Sequence, residues 1–296
     1  MPITLICLDA DDTLWHNETF FRRTFGRIAE LLSPFAPAEE VQRRLDDIEH
    51  RNLAAYGYGA KGFILSMLET ASELAGDDLP AATVRQILAL GREMLAHPIE
   101  LLPGVEEALR TLGDRARLVL VTKGDLHHQE AKLAASGVGD YFTGVEIVSD
   151  KRADTYARIF ERYGAAPAEA VMAGNSMRSD VLPPLEAGAW AAFIPFELVW
   201  GHEAAEAPVG HPRYTELASL AELDEWVASI ARAQASVRST RSATSRSRRR
   251  MWATIAGQRC SRNSLRAPER SFAVAPSATN MPTPRFTTTR PSSWKV

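Results

Sequence analysis

The sequence has few cysteines, no long apolar run and no basic N-terminal segment, and each absence excludes a class of protein. Only two cysteines occur in 296 residues, which excludes a disulfide framework and a Cys-x-x-Cys metal site and fits a reducing compartment. No stretch approaches the roughly 18 apolar residues of a membrane span. The first apolar run ends at Asp9, and no basic residue precedes it. We therefore expect a soluble, cytoplasmic protein without membrane contact.

Acidic residues are nearly missing from the end of the chain. Residues 233–296 contain twelve Arg, one Lys and a single acidic residue, Glu269, so this segment carries +12. Because the whole chain carries −3, residues 1–232 carry −15. An acidic body argues against nucleic-acid binding by the folded part, whereas the basic tail leaves such binding open locally. The tail is rich in Arg, Ser, Thr and Pro without apolar periodicity, which predicts disorder.

The sequence does contain an alternation of short apolar runs and helical patterns. Continuous apolar runs of strand length occur at residues 3–8, 117–122, 144–148, 170–174 and 190–194. From residue 98 to residue 230, segments with amphipathic helical spacing separate these runs. Such alternation predicts an α/β fold with a doubly wound parallel sheet and helices on both faces.

Between the first two predicted strands the alternation stops for roughly eighty residues, which is too long for an ordinary crossover. Three apolar stripes with helical spacing lie in this segment: Phe21, Phe25, Ile28 and Leu32; Phe63, Met67, Leu68 and Ala71; Val84, Ile87, Leu88 and Leu95. We predict an α/β core of residues 1–16 and 97–232, an inserted helical bundle of residues 17–96 that acts as a lid, and a disordered tail of residues 233–296.

Polar side chains follow four of the predicted strands, at the edge where open α/β sheets bind ligands. Asp9 and Asp11 follow the first strand, Thr122, Lys123 and Gly124 the second, Lys151 the third, and Asn175 and Asp180 the fourth. The stretch LICLDADDTLW places three carboxylates within four positions behind an apolar run. Because these carboxylates repel one another, we expect cationic groups beside them.

These motifs resemble, in the same order, those of the haloacid dehalogenase-like (HAD) hydrolases. The resemblance rests on DADDT from Asp9, a strand that ends at Thr122, then Lys151, and GNSMRSD from Gly174 to Asp180. It extends over residues 3–225. It implies a Rossmann-like core with a helical cap of the first type, and a Mg²⁺-dependent phosphomonoester hydrolase that acts on a small phosphorylated metabolite.

The resemblance implies a role for each motif residue. Asp9 is the nucleophile that forms an aspartyl phosphate, and Asp11 protonates the leaving oxygen and then deprotonates the attacking water. The Thr122 hydroxyl and the backbone N–H of Lys123, beside Gly124, donate to the phosphoryl oxygens. Lys151 supplies positive charge to those oxygens and to Asp9.

The resemblance also implies a magnesium site. Its ligands are Asp9, the backbone carbonyl of Asp11, Asp180 and Asn175, which offer the oxygen donors that Mg²⁺ prefers. The family commonly has Asp at the position of Asn175, so this chain has one negative charge fewer. We expect Asp180 to be the main ligand of the fourth motif and metal affinity to be lower than in an all-Asp site.

Several functions fit the same pattern. Asp11 favours phosphoryl transfer, because dehalogenases of this superfamily lack an acid at that position. A phosphomutase and a phosphonatase are further alternatives; the phosphonatase needs a lysine in the cap, where Lys61 is the only one. A different class is a non-catalytic HAD-like protein that binds nucleic acid through its basic tail. The sequence determines neither the substrate nor the oligomeric state.

The remaining polar residues near the motifs have structural interpretations. We expect Asp12 to be a turn residue, Asp125 to be the N-cap of the following helix and Trp15 to serve packing. His127 and His128, in the first turn of that helix, have no metal-binding partners at useful spacing, and we expect both to be solvated.

Overall fold

The computed structural model describes residues 2–198 and 201–233. Within them, one sheet contains six strands: β1 (Leu5–Leu8), β2 (Arg117–Lys123), β3 (Gly144–Val148), β4 (Ala170–Gly174), β5 (Trp190–Phe193) and β6 (Tyr214–Glu216). All neighbouring strands are parallel, and their order is β3-β2-β1-β4-β5-β6. This is the order of a Rossmann-like doubly wound sheet, which confirms the predicted fold class. The sequence pattern misses β6, because its three residues form no apolar run.

Helices cover both faces of the sheet because successive strand residues point in opposite directions. Ile6 and Leu8 pack with apolar side chains of α5 (Val105–Arg115) and of the helical residues 223–233. Leu5 and Cys7 pack on the opposite face with α7 (Ala153–Arg162). Two further helices follow strands: α6 (Leu126–Ser136) after β2 and α8 (Leu182–Glu186) after β4. The sheet is therefore buried on both sides, as its continuous apolar strands predict.

Four helices lie between β1 and α5, and we call them the helical insertion. They are α1 (Glu18–Leu32), α2 (Ala38–Tyr56), α3 (Ala60–Ala75) and α4 (Ala81–Leu95). Side chains from all four helices form a hydrophobic cluster separate from those of the sheet. None of the helices in the described ranges combines the length and the hydropathy that crossing a membrane requires.

The predicted apolar stripes of α1 and α3 pack into this cluster, but the stripe predicted for α4 is partly wrong. Leu88 is 38% exposed. The buried face of α4 instead contains Thr83, Ile87, Leu90 and Met94, whose spacing of four, three and four residues follows the helical repeat. The predicted boundaries of core and insertion stay predictions, and the tail of residues 233–296 lies, apart from Ala233, outside the described residues.

Two glycines in the helical insertion test how closely its helices pack. A Cβ added at Gly26 in α1 would meet no atom within 4 Å, whereas one at Gly91 in α4 would lie 2.5 Å from Cγ1 of Ile64 in α3. We expect Gly26→Ala to raise the free energy of unfolding by about 1 kcal/mol, since Ala has the higher helix propensity. Gly91→Ala should give no such gain, because Ile64 must move. Urea unfolding of both variants measures the difference, and equal stabilisation would contradict the packing of α3 against α4.

Candidate active site

The carboxyl ends of β1, β2, β3 and β4 open into one cavity of about 620 Å³. The residues predicted from the sequence that line this cavity are Asp9, Asp11, Thr122, Lys123, Lys151, Asn175 and Asp180. Gly124 does not line it but forms the turn directly after β2, where its φ of 136° favours glycine. Segments more than a hundred residues apart thus meet because β1 lies between β2 and β4 in the sheet.

The centre of this site is a buried ion-pair cluster. The Nζ of Lys151 donates to Oδ1 of Asp9 and, at 2.7 Å, to Oδ1 of Asp180. The side chains of Lys151 and Asp180 are 2% and 0% exposed. Burial raises the pKa of Asp9, and the ammonium of Lys151 opposes this shift. Burial alone would lower the pKa of Lys151, but the two carboxylates raise it, so the lysine stays charged.

Gly174, the last residue of β4, allows these groups to approach one another. A Cβ at this position would lie 2.5 Å from Cγ of Asp180 and 2.8 Å from Cβ of Asp9, distances that real Cβ atoms do not tolerate. In addition to its bond with Lys151, Asp180 accepts at Oδ2 from the backbone N–H of Ser176 at 3.0 Å. Asp180 itself lies in a π-helical turn, Met177–Val181, that leads into α8, and its carboxylate is fixed from two directions.

Asp11 is held by three donors that the sequence analysis did not identify. Its carboxylate accepts from Nε1 of Trp15 at 2.7 Å, from Nε2 of Gln129 at 2.9 Å and from Nζ of Lys132 at 2.5 Å. Burial alone would raise the pKa of Asp11, but the ammonium of Lys132 and these hydrogen bonds hold it below its usual value. Asp11 is therefore ionised in this arrangement. Gln129 and Lys132 are three residues apart on α6, so they share one face of that helix.

The carboxamide of Asn175 faces a group of oxygens. With its nitrogen toward them, it donates to Oδ2 of Asp9 at 3.2 Å, to Oγ1 of Thr13 at 3.2 Å and to the backbone carbonyl of Asp11 at 3.1 Å. With its oxygen toward them, Thr13 is the donor, at 3.2 Å, and the carboxylate, carbonyl and carboxamide oxygens of three residues face one another. These are the donors that a hard divalent cation prefers.

This oxygen group contains a single acidic side chain. The described residues contain no cluster of three or more His, Cys, Asp or Glu side chains that could hold a metal ion. The oxygens of Asp9, Asp11 and Asn175 nevertheless fit Mg²⁺, because a backbone carbonyl and a carboxamide supply donors in place of two carboxylates.

Lys123 pairs with the carboxylate of Glu203, a residue that the sequence patterns do not identify. The Nζ of Lys123 donates to Oε1 of Glu203 and, at 2.8 Å, to Oγ of Ser179, while the hydroxyls of Ser176 and Ser179 donate to Oε2 of Glu203. The same ammonium lies 4.1 Å from the ring centroid of Tyr58 in the helical insertion. Although burial opposes it, Lys123 holds the pKa of Glu203 below its usual value. Glu203 lies beyond β5 in a short 3-10 helix, Gly201–Glu203, that has no recognisable motif, so no sequence signal predicts it.

The residues around the motifs confirm two structural interpretations and correct one. Asp125 accepts from the backbone N–H of His128 at 2.9 Å and is the N-cap of α6. Asp12 is a turn residue with a φ of 59°, and its carboxylate accepts from the backbone N–H groups of Asn17 and Glu18. His128, however, is half-buried and lines the cavity, because the first turn of α6 faces the helical insertion. Burial and the nearby ammonium of Lys132 lower its pKa.

Comparison with known proteins defines the family. A model of the haloacid dehalogenase-like hydrolase family matches residues 3–188. A solved HAD-like hydrolase from Xanthomonas campestris is 37% identical, with a TM-score of 0.71 over 80% of this chain and 94% of its own. The chain therefore belongs to the haloacid dehalogenase-like hydrolases, a family of enzymes.

Two solved structures of lower identity share the fold. The HAD-hydrolase YfnB of Bacillus subtilis, bound to magnesium, is 16% identical with a TM-score of 0.55 over 77% of this chain and 99% of its own. L-2-haloacid dehalogenase from Xanthobacter autotrophicus, with chloropropionic acid covalently bound, is 16% identical. Its TM-score is 0.51 over 76% of this chain and 98% of its own. None of the curated proteins matches this chain.

The buried ion-pair cluster predicts a large loss of stability when its cation is removed. Lys151→Met leaves two buried carboxylates without their cation, and we expect the free energy of unfolding to fall by about 3–5 kcal/mol at neutral pH without divalent cations. Lys61 provides a matched control, because it pairs with Asp125 at 2.8 Å but is 51% exposed. Lys61→Met should cost less than about 1 kcal/mol.

Urea unfolding of both variants makes this comparison. The double variant Lys151→Met with Asp180→Asn should recover part of the loss, since one of the unpaired charges is then absent. Losses of similar small size in both single variants would contradict the account of the cluster.

Proposed function

We propose that this HAD-family enzyme is a Mg²⁺-dependent phosphomonoester hydrolase that acts on a small phosphorylated metabolite through an aspartyl-phosphate intermediate. The observation that carries the proposal is the position of Asp9. Its carboxylate lies at the end of β1, is bonded to the buried ammonium of Lys151, and faces the cavity with Asp11 two residues further on. A carboxylate in such a position is suited to covalent catalysis.

In the first half-reaction, the Asp9 carboxylate attacks phosphorus and the bond from phosphorus to the alcohol oxygen breaks. Lys151 offsets the repulsion between the anionic nucleophile and the anionic ester. The Thr122 hydroxyl is available to bind a phosphoryl oxygen, since its only hydrogen bond in the described part of the chain is a long one, 3.4 Å, to the carbonyl of Lys123. The protonated form of Asp11 donates its proton to the leaving oxygen.

In the second half-reaction, Asp11 accepts a proton from the water that attacks phosphorus. The bond between phosphorus and Asp9 breaks, which returns the Asp9 carboxylate and releases phosphate. Asp11 as found, ionised and bonded to Lys132, has the protonation state that this second step needs. The first step needs the protonated form, so Asp11 must lose its contact with Lys132 before the leaving group departs.

Mg²⁺ would be held by Asp9, the backbone carbonyl of Asp11, and the fourth-motif residues Asn175 and Asp180. When bound, Mg²⁺ withdraws charge from the phosphoryl oxygens. Charge balance supports a cation here: the residues around the strand ends include the carboxylates of Asp9, Asp11, Asp180 and Glu203 against the ammonium groups of Lys123, Lys132 and Lys151. Asp12 and Asp125 also line the cavity near the strand ends, so the site has an excess of carboxylates over ammonium groups before an anionic ester enters.

Side-chain contacts at the site support this proposal over two of its alternatives. A phosphonatase needs a lysine in the helical insertion, but Lys61 is bonded to Asp125 and does not line the cavity. A dehalogenase needs no acid at the position of Asp11, whereas here Trp15, Gln129 and Lys132 all bind that carboxylate. A phosphomutase shares the first half-reaction and differs in what attacks the intermediate.

We further propose that the helical insertion acts as a lid, since residues of α1, α2 and α3 line the cavity.

Asn175→Asp tests the magnesium site without relying on turnover. We expect this variant to bind Mg²⁺ roughly tenfold more tightly by calorimetry, because a carboxylate adds charge to the ligand set. The metal-free variant should also be less stable than wild type, since the new carboxylate faces oxygens of Asp9 and Asp11. Gln86→Glu, which adds the same charge on the exposed side of α4, is the control. Unchanged or weaker Mg²⁺ binding by Asn175→Asp would contradict the assignment.

A panel of phosphate esters together with 2-chloropropionate tests the activity itself. We expect Mg²⁺-dependent phosphate release and no chloride release by the wild type. Asp9→Asn should lower kcat by a factor on the order of 10³ or more, since the nucleophile is lost. Chloride release would identify a dehalogenase. Absence of turnover for every ester, with steep salt-dependent nucleic-acid binding that requires residues 236–296, would favour the binding protein instead.

A further inference from the structure

The cavity is larger than the phosphoryl site requires, and it extends into the helical insertion. A water molecule occupies about 30 Å³, so a phosphoryl group with its three oxygens accounts for only about 100 Å³ of this space. The whole cavity measures about 620 Å³, and its lining includes residues of α1, α2 and α3 as well as the strand ends. Most of the volume is therefore available to the alcohol part of an ester.

Five apolar side chains of the helical insertion line the cavity. They are Phe21, Phe25, Leu45, Leu53 and Phe63. The rings of Phe21 and Phe63 lie 5.1 Å apart, and both contact the hydrophobic cluster of the insertion. That cluster opens to the cavity mainly through the half-buried Phe21 and Phe25, since Leu45 and Phe63 are only 1% and 6% exposed. An apolar group bound there would remove this surface from water, which is favourable in proportion to the area buried.

Charged residues of the helical insertion that line the cavity are mostly acidic. They comprise Glu18, Asp46 and Glu49 against one guanidinium, Arg22, which lies 3.3 Å from Glu18. A second anionic group on the substrate would meet this negative excess. At the phosphoryl end of the cavity, by contrast, Lys123 and Lys151 balance part of the charge of the carboxylates beside them, and the proposed Mg²⁺ would add positive charge there. The charge distribution thus admits one anionic group, at the strand ends, and disfavours another in the insertion.

We propose that the substrates are phosphomonoesters of uncharged alcohols with an apolar alkyl or aryl-alkyl body, which the apolar side chains of the helical insertion bind. This inference rests on the proposed function, because it concerns the alcohol part of the same ester. Esters that carry a carboxylate or a second phosphate are poor substrates. The apolar body binds in both the ground state and the transition state, so its length affects kcat/KM.

A series of ethyl, butyl and hexyl phosphate tests the proposal on the full-length, Mg²⁺-loaded enzyme. Their leaving alcohols have similar acidity, so differences in kcat/KM report binding of the alkyl chain. We expect kcat/KM to rise about fourfold for each methylene that becomes buried. Phosphoglycolate, which matches ethyl phosphate in size but adds a carboxylate, should be at least tenfold poorer than ethyl phosphate.

Two variants show whether the named side chains are responsible. Phe25→Ser should reduce the ratio of kcat/KM for hexyl over ethyl phosphate by about tenfold or more, since it removes apolar surface from the cavity. Leu53→Ser, outside the hydrophobic cluster, should act in the same direction and serves if Phe25→Ser does not fold. Leu65→Ser is the matched control, because Leu65 is 41% exposed on α3 and does not line the cavity. It should leave the ratio unchanged.

The outcomes distinguish this inference from the proposed function. Hydrolysis of ethyl phosphate without any dependence on chain length, or a preference for phosphoglycolate, would overturn the substrate class and leave the phosphatase proposal standing. Failure to hydrolyse every ester of the series and of the wider panel would overturn both.

Discussion

The buried ammonium of Lys151, between the carboxylates of Asp9 and Asp180, is the interaction on which the rest of the site depends. Neither carboxylate tolerates burial as an isolated anion, and a lysine is equally unfavourable there without partners. Each of the three charges therefore requires the other two, which come from the ends of β1, β3 and β4. The missing side chain of Gly174 allows this close approach. Folding of the sheet and assembly of the site are in this sense one event, because unpaired members of the cluster would be strongly destabilising.

The topology of the sheet explains why the reactive groups meet at one end of a cavity that extends into the helical insertion. In the order β3-β2-β1-β4-β5-β6, the central strand β1 has neighbours on both sides whose connections leave in opposite directions. Asp9 thus lies at the crevice between them. The helical insertion follows directly after this strand, so its open hydrophobic cluster faces the same crevice. We infer that the strand ends bind the phosphoryl group and that the helical insertion selects the alcohol part of the ester.

The sequence predicts those features that follow from local pattern and from strand order. The apolar patterns predict five strands and two apolar stripes of the insertion. They also predict that Asp9, Lys151 and Asp180 converge, because motif residues that follow parallel strands share one edge of the sheet. Side-chain partners from outside the motifs could not be predicted in this way. Lys132 bonds to Asp11 from a helix, and Glu203 bonds to Lys123 from a 3-10 helix without a motif. The assignment of Leu88 to the core of the insertion is wrong because several registers of α4 give apolar stripes, and only packing against α3 selects one.

Electrostatics connect the site to the proposed chemistry. Lys151 opposes the rise in pKa that burial imposes on Asp9, Lys132 holds the pKa of Asp11 below its usual value, and oxygens of Asp9, Asp11 and Thr13 surround the carboxamide of Asn175. The central claim is that Asp9 forms a covalent bond to phosphorus. Acid quenching during turnover of a phosphate ester, followed by mass spectrometry of the peptide that contains Asp9, measures this directly. The account predicts one added phosphoryl group on Asp9 of the wild type. A phosphoryl group on any other residue, or an unmodified Asp9 in an enzyme that turns over, would contradict it.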